Sequence, residues 1–536
     1  MKKLLSNKTL AIGATAITLF ASGCTKSFED INKNPYGLSN EQLAVDYQNL
    51  GEPLKQAELN IYNGTATWMF QVQQNLNADI FSGYMMTKSD FGATNNHTYN
   101  LNAGWNTSAW DYAYPNVMSP IRGVLAATTD PKYASYHAWA QILKVEGMHR
   151  VSDIYGPIVY SHYGTVNADG SVTYDSQKEV YYQFFTDLDS AITTLTQLVA
   201  DKALPTFTDF DLAYGGSFEQ WLKFANTLRL RLALRIVNVD PEKAKLEGEL
   251  SLANPGGFLE TKDDNLNINT GNTPNPLTVI SQSWTDISFG APIACYLNGY
   301  NDPRASKYAN KATFPASVAD KIIGIRNGVD VGSAAKYAGY STLPTYPNTV
   351  QWMTAAEAWF LRAEAAIRQW TGAGDAQTNY EKGVRTSFDQ YGVTGSADAY
   401  LADATSTEEP YVDPLATVAG ANDVPAGSPY LSTITIKWNA ADPFERQLER
   451  IITQKWLANY PEGEEAWAEF RRTGYPKLFP VVNNNSNGTI STSLFIRRLP
   501  FAQSEVGTNP AGVAAATALL GGPDNGGTAL WWDTRH

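Results

Sequence analysis

The chain has 536 residues, a formal net charge of −13 and two cysteines, Cys24 and Cys295. Its basic residues form nothing beyond short pairs such as Arg471-Arg472 and Arg497-Arg498, which excludes a nucleic-acid binder, because that function needs a basic footprint. Aromatics are abundant, with 14 Trp, 29 Tyr and 21 Phe; much of that must be core, and a surplus near polar loops would suit stacking on flat, weakly charged ligands.

Lys2, Lys3 and Lys8 precede a short apolar run over residues 9–21. That run falls short of the about 20 apolar residues a spanning helix needs, and it has the layout of a secretory signal. Ala21-Ser22-Gly23-Cys24 resembles a bacterial lipobox, with Ala where Leu is usual. The resemblance implies removal of residues 1–23 and acylation of Cys24, an anchor in which each buried methylene contributes about 0.8 kcal/mol. Cys295 then has no intrachain partner, and stability must come from a large core. Residues 24–45 read as the lipidated cysteine and a polar tether, and residues 46–536 as one domain.

Amphipathic helices dominate the chain beyond the tether. Residues 134–150 read as helical. In 178–199, Tyr181, Phe184, Leu188, Ile192, Leu195 and Leu198 recur at steps of three and four. In 217–237, Trp221, Phe224, Leu228, Leu232 and Ile236 do the same, with Ser217 and Gln220 spaced as a capping box. Arg231 and Arg235 lie one turn apart on a neighbouring stripe and are expected to pair with carboxylates. Residues 351–370 repeat the pattern around Trp352, Trp359 and Phe360. Gly372 and Gly374 end that helix, and Asp375 caps the next, over 375–391. Two more helices are expected at 442–459 and 463–471. The fold class is therefore mainly α, a tetratricopeptide-like helical scaffold carrying a large, ordered, loop-rich half. The loops are long, at 87–116, 253–348, 393–440 and 480–530, and loops of that length are usually functional.

Several segments resemble the SusD/RagB-like lipoproteins of Bacteroidetes. Phe28-Glu29-Asp30-Ile31-Asn32-Lys33-Asn34-Pro35 is similar to that family's start. Asp153-Ile154-Tyr155-Gly156-Pro157 resembles its Asp-x-x-Gly turn, with the proline displaced. Glu449-Arg450-Ile451-Ile452-Thr453-Gln454-Lys455-Trp456 resembles its Gln-Lys-Trp helix. Glu465-Ala466-Trp467-Ala468-Glu469-Phe470-Arg471-Arg472 comes next in the chain, then Arg497-Arg498-Leu499-Pro500, Glu505, Asn509 and Trp531-Trp532-Asp533. The resemblance implies a lipid-anchored outer-membrane protein facing the exterior. It also implies docking onto a TonB-dependent, SusC-like transporter to deliver oligosaccharides, with no cofactor.

A sugar is held by aromatic faces against its C–H surfaces and by polar groups against its hydroxyls, since burying those hydroxyls unpaired is costly. Two loop regions offer both. The first supplies Asp79, Tyr84, Asn96 and Trp105, and the second Trp284, Cys295, Tyr296, Arg326 and Tyr346. The expectation is that they meet, with Tyr84, Trp105, Trp284 and Tyr296 stacking and Asp79, Asn96 and Arg326 hydrogen-bonding. The competing reading is that such aromatics pin loops to the scaffold. Trp352, Trp359, Trp456 and Trp467 sit at helical spacing and are assigned to the core.

The sequence holds no Gly-x-Ser-x-Gly, His-Glu-x-x-His or Walker A motif, and its five histidines lack close metal-ligand spacing, so neither enzyme chemistry nor a metal is expected. A glycosidase needs only two carboxylates, which leaves a surface glycoside hydrolase as an alternative. Peptide cargo, as in a RagAB-like importer, is a second alternative, and an adhesive surface protein a third.

Overall fold

The computed structural model describes residues 45–92 and 94–535. Cys24, the signal segment and the tether up to residue 44 lie outside the described residues.

Among the described residues nine longer helices carry the architecture: α1 (Gln48–Ile61), α2 (Ala134–Tyr155), α3 (Gln177–Ala200), α4 (Phe218–Arg235), α5 (Pro241–Ala253), α6 (Ala355–Ile367), α7 (Ala376–Gln390), α8 (Phe444–Asn459) and α9 (Gly463–Thr473). Successive helices pack on one another, α2 on α3, α3 on α4, α4 on α5 and α6 on α7. The contact of α4 with α6 joins these two runs, α8 packs on α6, and α9 packs on α8 and on the short helix Ala78–Phe81. The molecule is mainly helical and tetratricopeptide-like, as its periodicity implies.

Local chemistry explains the helix starts. A full capping box opens α3, where the Ser176 hydroxyl accepts from the Glu179 N–H and the Glu179 carboxylate accepts from the Ser176 N–H. At α4 only half the expected box forms: Ser217 accepts from the Gln220 N–H, while Gln220 Oε1 turns inward without a partner. Asp375 caps α7 through the Thr378 N–H, as expected.

One helix expectation needs correction. Residues 351–353 are not helical, because Thr349–Met353 forms strand β4, paired antiparallel with β2 (Leu266–Asn269). The β-branched and aromatic residues of Thr349-Val350-Gln351-Trp352-Met353 favour an extended chain. The helix begins only after Thr354, whose side chain accepts from the Glu357 N–H. Trp352 is still core, stacked on Tyr62 with ring centroids 5.2 Å apart. A second short sheet pairs β1 (Met85–Thr87) with β3 (Ile287–Phe289), setting Met85 opposite Phe289 and Thr87 opposite Ile287.

The helical half is tied together by buried charge. Arg231 on α4 grips Glu357 on α6, and Lys455 on α8 lies 3.4 Å from Glu357, 3.1 Å from Glu465 and 3.2 Å from Glu469. Arg235 donates to Glu465 and Glu469, and Arg472 bridges Glu364 and Glu469. Despite burial, these cations hold Glu465 down at about 2 and Glu469 well below the usual carboxylate range.

A second network fixes the C-terminal segment. Asp153 at the end of α2 accepts from the Tyr181 hydroxyl and from Trp532 Nε1 at 2.9 Å. Arg471 donates to the Asp153 and Arg497 carbonyls, Arg498 donates to the Tyr155 carbonyl, and Arg497 pairs with Asp533.

Candidate functional site

The β1–β3 pair brings the two long loops to one place. Beyond β1 the Lys88 N–H donates to the Asp286 carbonyl, and the Ser89 hydroxyl donates to Asp286 Oδ1 at 3.2 Å. From the other side Gln71 Nε2 donates to Asp286 Oδ2 at 3.0 Å. Asp286 thus locks three segments together: the turn after Trp68, the loop after β1 and the residues after Trp284.

At this junction two tryptophans face solvent, Trp68 at 54% exposure and Trp284 at 39%. Each adjoins a five-residue π-helical turn. Gln71–Asn75 follows the short helix Thr67–Phe70 that carries Trp68, and Val279–Ser283 leads directly into Trp284. Such turns interrupt the regular ladder and concentrate at functional sites. The short helix carrying Trp68 packs against Pro276–Thr278, immediately before the second π turn. Thr285 sits at φ +58°, a left-handed conformation unusual for a β-branched residue. Backbone strain of this kind persists only where the surroundings impose it, here between exposed Trp284 and anchored Asp286.

The loop after β1 adds a third aromatic element. Phe91 and Trp105, both half-buried, meet edge to face with centroids 5.2 Å apart. Asn102 caps the turn of Trp105 through its N–H at 3.1 Å, and Asn95 donates to Asp90 Oδ1 at 3.0 Å. Exposed Gln282 reaches the Thr345 hydroxyl at 3.1 Å and supplies an amide beside Trp284. Flat rings, amides and carboxylates around one surface can present stacking faces and hydrogen bonds to a neutral, hydroxylated ligand.

Most other sequence candidates turn inward and leave the site. Asp79 is fully buried and accepts from Gln74 at 3.0 Å and Asn75 at 2.9 Å, and burial raises its carboxyl to about 7. Tyr84 is fully buried against Trp456 and Tyr460, and its hydroxyl donates to the Trp456 carbonyl. Asn96 is spent inside its own loop, donating to the Leu76 carbonyl and to Asn106 Oδ1, each at 2.9 Å. Tyr296 is enclosed against Tyr300 and Trp456. Cys295 is buried, and desolvation pushes its thiol well up.

Arg326 braces loops, donating to the carbonyls of Pro480, Asn422 and Asp423. Tyr346 is half-buried with its hydroxyl on that of Tyr460 at 2.9 Å, although its N–H meets Thr278 beside the second π turn. The two loop regions do converge, therefore, but they present Trp105 and Trp284 rather than the whole expected set. Trp68 escapes sequence reasoning, and its signal is a Trp with Gly64 and Thr65 one turn before it and Gln71 one turn after. On its N-terminal side that pattern gives it no apolar stripe to join, although Val72 follows it four residues on.

Among the described residues no group of three or more His, Cys, Asp or Glu side chains could hold a metal ion, and no helix is long and apolar enough to cross a membrane.

Comparison with known proteins bears on this surface. A model of the SusD-like family, "Susd and RagB outer membrane lipoprotein", matches residues 30–533. No curated relative matches. A solved chitin-binding SusD homolog from Flavobacterium johnsoniae is 43% identical with a TM-score of 0.86, covering 91% of this chain and 99% of its own. A SusD homolog from Bacteroides vulgatus is 40% identical, with a TM-score of 0.85 over the same shares. A SusD-like protein from Bacteroides thetaiotaomicron is 36% identical at a TM-score of 0.83, again over 91% and 99%.

Proposed function

The chain belongs to the SusD and RagB family of outer-membrane lipoproteins, and from that premise we propose that it captures an oligosaccharide on the cell surface and passes it to a TonB-dependent, SusC-like transporter. The observation that carries this reading is the pair of exposed tryptophans, Trp68 and Trp284, each next to a π-helical turn on segments that Asp286 ties together. Large apolar side chains held outward on an anchored frame mark an interaction surface, and flat indole faces suit the C–H faces of pyranose rings. The 43% identical relative is described as chitin-binding, so chito-oligosaccharides are the first ligands to try.

Capture without chemistry fits the electrostatics. Asp79, Glu146 and Glu464, which burial pushes up to about 7, 7 and 8, are fully enclosed and out of reach of any substrate. Anchoring through Cys24 keeps the protein at the membrane, and proximity to a transporter compensates for weak binding by raising effective concentration.

The test is calorimetric titration of residues 25–536 against a panel of polysaccharides, their oligosaccharides and mixed peptides, with reducing sugar measured after long incubation. Saturable binding to one glycan class without release of reducing sugar supports capture. A signal from peptides alone moves the cargo to peptide, and release of sugar makes the protein a hydrolase. Co-purification of a SusC-like barrel with the full-length lipoprotein tests delivery.

A further inference from the structure

The described residues contain a third five-residue π-helical turn, Tyr114–Met118. It lies outside the segments that carry Trp68 and Trp284. It opens instead on a cavity of about 510 Å3 between the loop at Tyr163 and the helix that starts at Gln503. That volume lies within the range of about 300–1,000 Å3 usual for small-ligand sites.

The wall of this cavity is a fixed aromatic surface. The Tyr114 hydroxyl donates to the Val159 carbonyl at 3.1 Å and accepts from the Val159 N–H at 3.0 Å, and its ring rests on Trp110 with centroids 4.8 Å apart. The half-buried Tyr163 ring lies 5.5 Å from that of Tyr114, tilted by 33°, and the exposed Arg122 guanidinium stands 6.0 Å from the Tyr163 centroid. Gly164 takes φ +83°, a left-handed conformation suited to glycine, and lets the Arg122 guanidinium lie against its backbone.

Polar groups converge on the same space. Asp111 takes the Ser504 hydroxyl. Glu505 Oε2 accepts from Tyr174 at 2.8 Å and from Asn509 at 3.3 Å, while Oε1 receives no hydrogen bond among the described residues. Two carboxylates, one guanidinium and two tyrosine rings offer acceptors, donors and stacking faces within one concavity. Two negative charges against one positive disfavour an anionic ligand.

We propose that this cavity is a second carbohydrate subsite, taking a neutral oligosaccharide or a branch of the glycan held at the Trp68–Trp284 platform. The proposal rests on the reading of the protein as a glycan binder and goes beyond it, since the two places share no residue. A second contact on one polymer raises overall affinity by effective concentration without altering the first.

The experiment titrates residues 25–536 with chitohexaose and with maltohexaose, and measures depletion on insoluble chitin. Five forms are compared: wild type, Trp68→Ala/Trp284→Ala, Tyr163→Ala/Arg122→Ala, all four changes together, and Tyr163→Phe. Both replaced cavity residues reach the surface, so melting temperatures are expected to match wild type, and Tyr163→Phe, which keeps the ring, is expected to bind normally. The platform variant should retain a weaker saturable event that the fourfold variant lacks. The cavity variant should lose about three- to tenfold on the polymer while its first-site affinity for the hexaose stays within about twofold. A one-site wild-type isotherm that Tyr163→Ala/Arg122→Ala leaves unchanged, with equal depletion on chitin, overturns the second site alone. Silence of the wild type toward these probes and every glycan of the panel overturns the glycan reading and the subsite together.

Discussion

Arg231 and Glu357 meet in a two-pronged ion pair between α4 and α6, Nε to Oε1 at 2.8 Å and Nη2 to Oε2 at 2.7 Å, with each side chain 1% exposed. Removing Glu357 takes away the two-pronged partner of a buried guanidinium and leaves it only the longer contact with Glu465, 3.6 Å away. Glu357→Gln is therefore expected to cost about 3–5 kcal/mol of unfolding free energy. The double change Arg231→Met/Glu357→Leu, which removes both charges, should cost much less. Urea unfolding of the three proteins checks this, and equal losses in the single and double variants would show that packing rather than charge dominates.

Asp79 carries a pH signature. Burial raises its folded carboxyl to about 7, above its ordinary range near 4. Between those values the folded chain binds the proton and the unfolded chain does not, so Asp79 makes stability fall as pH rises from about 4 to 7. Its effect is absent below that window and constant above it. Asp79→Asn removes the slope, and the variant should gain on wild type by up to about 1.4 kcal/mol per pH unit inside the window. Parallel stability curves for the two proteins from pH 4 to 8 contradict the assignment.

Glu465 and Glu469 act with the opposite sign. Arg235, Arg231 and Lys455 hold Glu465 at about 2, and Arg472, Lys455 and Arg235 hold Glu469 well below the usual range. Their contribution is complete above the ordinary carboxylate value and is lost as pH falls toward 2. Acid unfolding should therefore steepen below about pH 4, and Glu469→Gln should flatten that limb while lowering stability at neutral pH. Denaturant midpoints collected from pH 2 to 7 decide it.

Tyr84 and Trp284 should part company on substitution. Tyr84→Ala empties a fully buried place against Trp456 and Tyr460 and is expected to cost about 3–5 kcal/mol. Trp284→Ala should leave unfolding within about 0.5 kcal/mol, as surface changes do. Thermal melts of the two variants separate packing from presentation.

Cys24→Ala should move the protein from the membrane fraction to the soluble one, since no helix among the described residues can span a bilayer. Immunoblots of fractionated cells that lack the transporter partner test this, and continued membrane association of the variant there contradicts lipidation.

The helical half is legible in the sequence because its periodicity and caps are local. Tyr181 to Leu198 on α3 and Asp375 ahead of α7 state their structure within a few residues. The residues that carry the family resemblance, Lys455, Glu465, Glu469, Arg472 and Asp153, form the buried ionic networks. They identify the scaffold and are silent about the ligand. The loops are harder to read, because alternation in Thr349–Met353 is too short to separate from the helix it precedes. Whether an aromatic in a loop faces solvent depends on partners hundreds of residues away, as Tyr84 on Trp456 shows against Trp284. Trp68 escapes notice for the same reason, since only Gln71 on Asp286 reveals what it stands beside.

The most direct measurement is calorimetric titration of wild type, Trp284→Ala and Trp68→Ala, each as residues 25–536, with the glycan that saturates wild type in the panel, beginning with chitohexaose. Capture on the Asp286-locked platform predicts a loss of about tenfold in affinity, near 1.4 kcal/mol, for each variant, with melting temperatures unchanged. Unchanged affinity in both variants, with binding intact in the wild type, would place the ligand elsewhere and contradict the platform.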